Sequence, residues 1–409
     1  MKGNASAVLF TAVLVDMVGF GIVIPVLPFY ATSFGASPFE VTALFAAYSA
    51  MQVVATPVWG RVSDRRGRRP LLIAGLFASA VSHLIFGLAN SVALLFASRM
   101  AAGAAGGTIA VAHAYIADTT TTEDRAHHMG LVGAAAGLGV MIGPAIGGFV
   151  SQWGLGLPGY VAAALAALNG VAAYFRLPES RPAHRVGRPP SGQTATLGGW
   201  LRTMTSSPIA LMMAIYFLAI SAFTGMTALL ALYTEQRFGM NAADMGIVFT
   251  IAGGATVVVR GVLLGRMVRR FGERAVVRVG ATALFLSLAA MPLLPNGWWV
   301  GLVVALYAFG AGTLFPTLAT LVSFATDAES QGAVLGGSQV VGGLGRVTGP
   351  MWFGILFQQL TIDSPFLIGA ALVAGAWALA ARIPADRAPG ARASRAIPDA
   401  VEQQTIAPD

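Results

Sequence analysis

Apolar residues come in long blocks along this chain, separated by short polar or basic stretches. A membrane-crossing helix needs about 20 predominantly apolar residues. Twelve blocks meet that length, at roughly 6–30, 41–60, 70–90, 92–117, 128–150, 157–176, 208–234, 244–264, 275–295, 299–323, 332–357 and 364–383. The pattern predicts an all-α integral membrane protein of 12 transmembrane helices in two six-helix halves, 1–176 and 208–383. Between the halves, residues 177–207 carry Pro178, Pro182, Pro189, Pro190 and several Gly, Ser and Thr residues, the composition of a linker. The tail 384–409 is polar, contains proline, and is expected to be disordered.

The polar stretches repeat. Gly60 to Pro70 reads Gly-Arg-Val-Ser-Asp-Arg-Arg-Gly-Arg-Arg-Pro, and Gly265 to Arg274 reads Gly-Arg-Met-Val-Arg-Arg-Phe-Gly-Glu-Arg, a shift of 205 residues. Gly139, Gly143, Pro144, Gly147 and Gly148 in the fifth block are answered at a shift of 206 by Gly345, Gly349, Pro350 and Gly354 in the eleventh. Two motifs at one offset indicate a duplicated chain. Glycines four apart lay a flat stripe on one helix face, and proline removes a backbone donor and bends the helix. Such a stripe serves close packing alone, or it marks a helix that moves against its neighbours during transport.

Composition sharpens this picture. Of 409 residues 56% are hydrophobic and only 10% charged, too apolar for a water-soluble globule. Fifty glycines suit close helix packing in a bilayer, and the absence of cysteine removes disulfides, thiol nucleophiles and thiolate metal sites. The net charge of +8 could suggest nucleic acid as a partner, but its placement argues otherwise. Threaded from a cytoplasmic N-terminus, nearly every loop arginine falls on one side and only Arg237 on the other, which follows the positive-inside rule. Both termini are then cytoplasmic, in a bacterial-type inner membrane. The first block is read as a retained span, because no small-residue cleavage site follows a short core.

With these residues in view, the chain resembles the major facilitator superfamily over residues 6 to 383, and within it the twelve-helix drug:proton antiporters. Gly60–Pro70 is similar to the family's loop motif between helices two and three. Arg99, Gly103 and Gly107 are similar to its helix-four motif, and Gly139–Gly148 to its helix-five antiporter motif. Asp16 with Gly19, Pro25 and Pro28 resembles the first-helix motif of the same exporters. The run from Ala114 through Asp118 to Arg125 looks closest to the tetracycline-exporter branch. That branch is similar in carrying further acids in helices three and nine, where this chain has Ser82 and His83 and no acid within 275–295. The resemblance implies proton-coupled efflux of small amphipathic or cationic compounds by alternating access. Its partners would be a small-molecule substrate, protons and the lipid bilayer, and the protein would work as a monomer without a cofactor.

A charge at the bilayer centre costs on the order of 3 kcal/mol, so intramembrane ionisable residues are the strongest candidates for function. Asp16 lies about ten residues into the first block, Arg99 in the fourth and Arg346 near the middle of the eleventh. Asp16 is either a structural acid or the carrier of the coupling proton, switched by movement between apolar surroundings and an arginine such as Arg99. The resemblance implicates Arg99 in proton transfer, while its plain alternative is a buried charge that fixes packing. Arg346 faces Val140 in the repeat and could hold an anionic group, stabilise an acid or line water.

In the basic loop, Arg65, Arg68 and Arg69 set topology and contact anionic lipid. The resemblance makes Asp64 a conformational latch, favoured by a helix N-terminus, with Asp118 a partner for the loop arginines. For substrate contacts the sequence offers Tyr48, Gln52, His113, Met213, Phe217, Phe223, Met226, Phe249, Phe315, Gln339, Arg346 and Trp352.

No glycine-rich run ends in the Lys-Ser/Thr of an ATP-binding loop, and no metal-ligand spacing or nucleophile–base pair falls within the blocks. An enzyme is therefore not expected, nor a metal. The readings left beside efflux are an importer or uniporter of a metabolite on the same fold, and a non-transporting sensor or scaffold.

Overall fold

The computed structural model describes residues 3–180, 207–326 and 331–383. Most of the expected linker and the whole tail lie outside the described residues. What is described is helical throughout, with no strand. The helices are α1 Gly3–Val23, α2 Leu27–Ser33, α3 Pro38–Arg66, α4 Arg68–Gly87, α5 Val92–Ala105, α6 Thr108–Thr119, α7 Thr122–Ser151 and α8 Leu157–Arg176. They continue as α9 Ser207–Phe238, α10 Ala242–Val258, α11 Leu264–Ala290, α12 Val300–Phe324, α13 Gln331–Gln359 and α14 Ser364–Ala380. Among the described residues, ten stretches are long and apolar enough to cross a membrane, and α14 is a shorter apolar helix of 17 residues.

Local chemistry explains where these helices start and break. Ser37 accepts from the Glu40 backbone N–H while the Glu40 carboxylate accepts from the Ser37 N–H at 2.8 Å, a reciprocal cap that opens α3. Asn241 and Asp244 form the same cap on α10, about two hundred residues on. The expected first span is interrupted at residues 24–26, where Pro25 stands, with Pro28 in the first turn of α2, so that α1 and α2 are separate helices. The fourth span breaks between α5 and α6 at Gly106 and Gly107, and there the Trp59 indole donates to the Ala104 carbonyl at 2.6 Å.

The basic motif expected as a loop is helical almost to its middle. Only Gly67, at φ +97°, separates α3 from α4, and only Gly272, at φ +77°, interrupts α11. Both are positions that side-chain-bearing residues rarely adopt. The helices run on because charged residues are good helix formers once the chain reaches polar surroundings. Val259–Leu263, a π-helical turn that contains Arg260, joins α10 to α11.

The helices pack as two groups. Within the first, α1 lies on α7 and α8, α3 on α5, and α4 on α5 and α8. Within the second, α9 lies on α13 and α14, and α11 on α12 and α14. The duplication is visible in detail. The Tyr30 hydroxyl donates to the Ala89 carbonyl at 2.6 Å, and the Tyr233 hydroxyl to the Met291 carbonyl at 3.2 Å. Arg69 Nη2 donates to the Tyr174 carbonyl at the end of α8, and Arg274 Nη2 to the Ala381 carbonyl just past α14.

Two seams join the groups, α7 against α10 and α3 against α13. Both are tight at one end only. At that end Gly148 meets Gly246, Gly354 meets Thr42 and Phe39, and the Phe39 N–H donates to Gln358 Oε1 at 3.4 Å. At the end that carries Gly67 and Gly272, Gly130, Gly133, Gly261 and Gly336 have nothing within 4 Å of where a Cβ would stand. The groups therefore meet at one end and part at the other.

Candidate functional site

Asp16 lies in the interior of the first group with only 7% of its surface exposed. The Thr108 hydroxyl, from the start of α6, donates to its Oδ2 at 2.8 Å, and Ser79 of α4 stands beside it. Leu9, Ala12, Val13, Leu72, Leu76, Ala173 and Leu177 line the small pocket around it. The break between α5 and α6 has a consequence here, since it sets Thr108 at a helix start and aims its hydroxyl at α1.

Arg99 is 3% exposed, and its guanidinium lies over the Phe86 ring at 5.2 Å. Among the described residues no ion pair joins it to Asp16. Its Nε makes a long 3.4 Å contact with Ser98 Oγ, and its Nη2 is buried without a hydrogen-bond partner. His83 of α4, 3% exposed, packs against Gly19 of α1 and leaves its Nδ1 unpartnered. Asp16, Ser79, Ser82, His83, Ser98, Arg99 and Thr108 are all buried within the one group, a polar seam through otherwise apolar packing.

A second polar centre sits where α3 meets α4. Arg68 reaches Asp64 at 2.7 Å, Asp118 at 2.9 Å and Ser63 Oγ at 2.6 Å, so one guanidinium gathers both acids named from the sequence. Arg69 is tied to the end of α8 through Tyr174, whereas Arg65 is exposed. The carboxylate at the α4 N-terminus is Glu179. Asp64 is on the last turn of α3 and faces Arg68. Glu179 accepts from the Arg68 N–H at 2.9 Å and the Arg69 N–H at 3.2 Å. Tyr115 anchors this segment by donating to the Pro178 carbonyl at 2.9 Å.

Sequence reasoning missed Glu179 because it stands 111 residues from its partner; the Leu-Pro-Glu that ends the α8 block was the available signal. A Glu179→Ala variant should lose about 1–2 kcal/mol of stability, read as a lower melting temperature of the purified protein.

The glycine motif of α7 divides between two neighbours. Cβ atoms at Gly139, Gly143 and Gly147 would strike the α1 backbone, at Leu14 O, Val18 O and Ile22 O respectively. A Cβ at Gly148 would instead stand 2.7 Å from Gly246 Cα across the seam to α10, and one at Gly246 would in turn strike the Pro144 carbonyl. One stripe thus holds a group together, and its last member touches the other group.

The expected substrate-contact residues separate as well. Tyr48 and Gln52 share a 3.2 Å hydrogen bond, and Phe20 packs on Tyr48 at 5.2 Å. Phe315 belongs to an aromatic cluster with Phe223, Tyr216 and Tyr307, the last stacked on Phe223 at 4.8 Å. Tyr216 and Tyr307 were not anticipated. Trp352 packs on Phe353 at 4.8 Å, and Phe217 and His113 are half-buried. Gln339 is exposed. Met226 is wholly buried in the core of the second group and offers no surface in this conformation. Arg346 is half-buried, with its Nε buried and unpartnered.

Comparison with known proteins decides the family. The Major Facilitator Superfamily profile matches residues 9–350. The chain belongs to this superfamily. It is 33% identical to the class C tetracycline resistance protein of Escherichia coli over 357 residues, covering 86% of this chain and 89% of that one. It is 30% identical to multidrug resistance protein 2 of Bacillus subtilis (strain 168), covering 90% and 92%. Among solved structures, a mutant of the nucleoside transporter NupG superposes with a TM-score of 0.77 at 14% identity, over 93% of this chain and 99% of that one, a likeness of fold. As a superfamily member the protein is a multi-pass membrane protein.

Proposed function

We propose that this protein is a proton-coupled exporter of small amphipathic or cationic compounds, a drug:proton antiporter that works by alternating access. The observation that carries this reading is its near full-length similarity to tetracycline and multidrug resistance proteins. The buried Asp16 supports it by supplying a protonatable group at membrane depth.

Twelve crossings in two six-helix halves account for the helices. The helical stretch Ala242–Leu293 has 52 residues, and at 1.5 Å per residue a straight helix of that length would be about 78 Å long, well over twice the roughly 30 Å hydrocarbon core. It is two crossings hinged near Gly272, and α14 makes the twelfth. With the arginine-rich end in the cytoplasm, both termini lie inside. The open end of the seams then faces inward.

Asp16 and Arg99 carry proton coupling in this reading. Asp64, Arg65, Arg68, Arg69 and Asp118 hold the cytoplasmic end, and the polar and aromatic side chains between the groups contact cargo. One proton falling through 100 mV supplies about 2.3 kcal/mol, enough for roughly fifty-fold accumulation at 1.36 kcal/mol per factor of ten.

The test is expression in a pump-deficient bacterial strain challenged with a drug panel, with and without a protonophore. Resistance that collapses with the protonophore is expected. Resistance to nothing, or resistance indifferent to the protonophore, overturns the proposal.

A further inference from the structure

Arg274 and Arg278 stand one turn apart on α11, and both reach α14. Arg274 Nη2 donates to the Ala381 carbonyl, while the Arg278 guanidinium lies over the Trp377 ring at 5.0 Å. Residues four apart on a helix share a face, so the two guanidiniums line one seam at the arginine-rich end of the second group. Arg382 follows Ala381 directly and is exposed. Among the described residues none of these three arginines makes an ion pair, and Arg274 Nε is buried without a hydrogen-bond partner. Like charges at this spacing repel. The seam therefore gathers donors and positive charge with no anion to receive them.

The first half shows what is missing. Arg69 matches Arg274 at the shift of 205 and is held in the same manner, through the Tyr174 carbonyl and ring. Beside it Glu179 supplies a carboxylate, accepting from the Arg68 and Arg69 N–H groups just after Gly67. At a shift of 206, Leu177 and Pro178 are answered by Ile383 and Pro384, and Glu179 by Ala385. The carboxylate is gone from the second copy, and a cation has been added, since Arg278 takes the place of Ile73. Glu273, which replaces Arg68, makes no ion pair with either arginine.

This seam looks outward from the bundle. Neither α11 nor α14 belongs to the two seams that join the groups. Val279 and Leu286 continue from Arg278 toward the middle of α11 and are 43% and 49% exposed, apolar surface of the kind that meets lipid tails. Trp377 is 38% exposed, an aromatic at the level where spans meet headgroups.

We infer that the seam between α11 and α14 binds an anionic phospholipid such as phosphatidylglycerol, its phosphate held by Arg274 and Arg278 and its acyl chains along Val279 and Leu286. The planar fork of a guanidinium matches two phosphate oxygens, and basic pockets between helices at the cytoplasmic side take such headgroups. The phosphate does for the second half what Glu179 does for the first. A zwitterionic lipid is disfavoured, because its ammonium group is repelled by the same arginines. The site lies apart from the cleft between the groups and does not depend on what the protein carries.

The experiment gives the purified full-length protein, stripped of lipid in a neutral detergent, equal amounts of phosphatidylglycerol and phosphatidylcholine with the same chains. Native mass spectrometry counts the bound lipid. Phosphatidylglycerol should be retained at least about tenfold in preference, on the scale expected for two arginines at a membrane surface, and should raise the melting temperature. Arg274→Gln with Arg278→Gln should remove the preference. Arg266→Gln with Arg270→Gln, which takes the same charge from exposed positions at the same end, should leave it intact. Arg278→Ile installs the residue of the first half and should lose most of the preference, which keeps the test valid if the double glutamine variant folds poorly.

Equal retention of the two lipids by the unaltered protein overturns the proposal. So does an equal loss in the two double variants, which would make the arginines a diffuse basic belt. Inorganic phosphate that raises the melting temperature as much as phosphatidylglycerol makes this a site for a free anion and not for a lipid. The rival occupant is Asp386, the residue after Ala385. A preference that appears only in Asp386→Asn assigns the place to the protein's own carboxylate and also overturns the proposal.

Discussion

Asp16→Asn should abolish proton-driven efflux, bringing transport in proteoliposomes under a full proton gradient down to the leak rate of empty vesicles. Asparagine keeps the shape of the side chain and an oxygen to accept the Thr108 hydroxyl, so the local packing of α1, α4 and α6 survives. What it loses is the ability to take up and release a proton. Replacing a buried charge by a neutral isostere removes a desolvation cost, and the stability of the variant should be equal to or above that of the unaltered protein. Substrate binding should remain measurable, because no described contact gives Asp16 a role on the surface where the two groups of helices face one another. Efflux at an undiminished rate in Asp16→Asn at full gradient would show that the coupling proton travels elsewhere. Loss of substrate binding together with efflux would make Asp16 a cargo contact.

How much of this was legible beforehand varies with the range of the interaction involved. Apolar block length located nearly every helix, because span length is fixed by bilayer thickness and a single sequence carries it. The duplication was equally visible, since motifs at one offset need no partner to be recognised. The structure extends it to pairs the repeat alone could not place, such as Tyr30 with Tyr233.

What escaped was pairing between distant segments. Glu179 caps α4 from beyond α8, and Arg237, read only as the lone arginine on its side, meets Asp363 at 2.9 Å and the Pro292 carbonyl at 2.6 Å. Composition does not encode which helix ends converge. The basic motif was misjudged in a different way. Its arginines were read as loop residues, yet they continue α3 and start α4, since charged side chains favour helix wherever the backbone is free to extend it. The α7 stripe had been left between packing and motion, and its geometry divides the two roles by residue.

That division leads to the second large effect. Gly148→Leu should hold the protein open at the end where it is now closed and lower transport at least about tenfold. The nearest atoms to a Cβ at Gly148 all belong to α10: Gly246 Cα at 2.7 Å, the Ala242 carbonyl at 3.0 Å and the Ala243 carbonyl at 3.2 Å. A leucine there cannot be accommodated while α7 and α10 stay in contact, and none of the three atoms lies in its own group of helices. Overpacking of this kind costs about 1–3 kcal/mol. Placed on one of two alternating states, that cost shifts their ratio by roughly 5- to 150-fold.

Gly143→Leu is the control, since its Cβ would meet the Val18 carbonyl at 2.6 Å and Gly21 Cα at 2.7 Å within the first group. It should lower the melting temperature instead. The absence of native cysteine gives a clean reporter. Thr42, wholly buried where α3 meets Gly354 of α13, can be changed to cysteine and its reaction with a maleimide followed in detergent. Labelling should be slow in the Thr42→Cys protein and several-fold faster once Gly148→Leu is added, with little change in melting temperature. If Gly148→Leu leaves both labelling and transport unchanged, the α7–α10 seam does not govern closure. If it unfolds the protein as Gly143→Leu does, Gly148 belongs to packing and the whole stripe has one role.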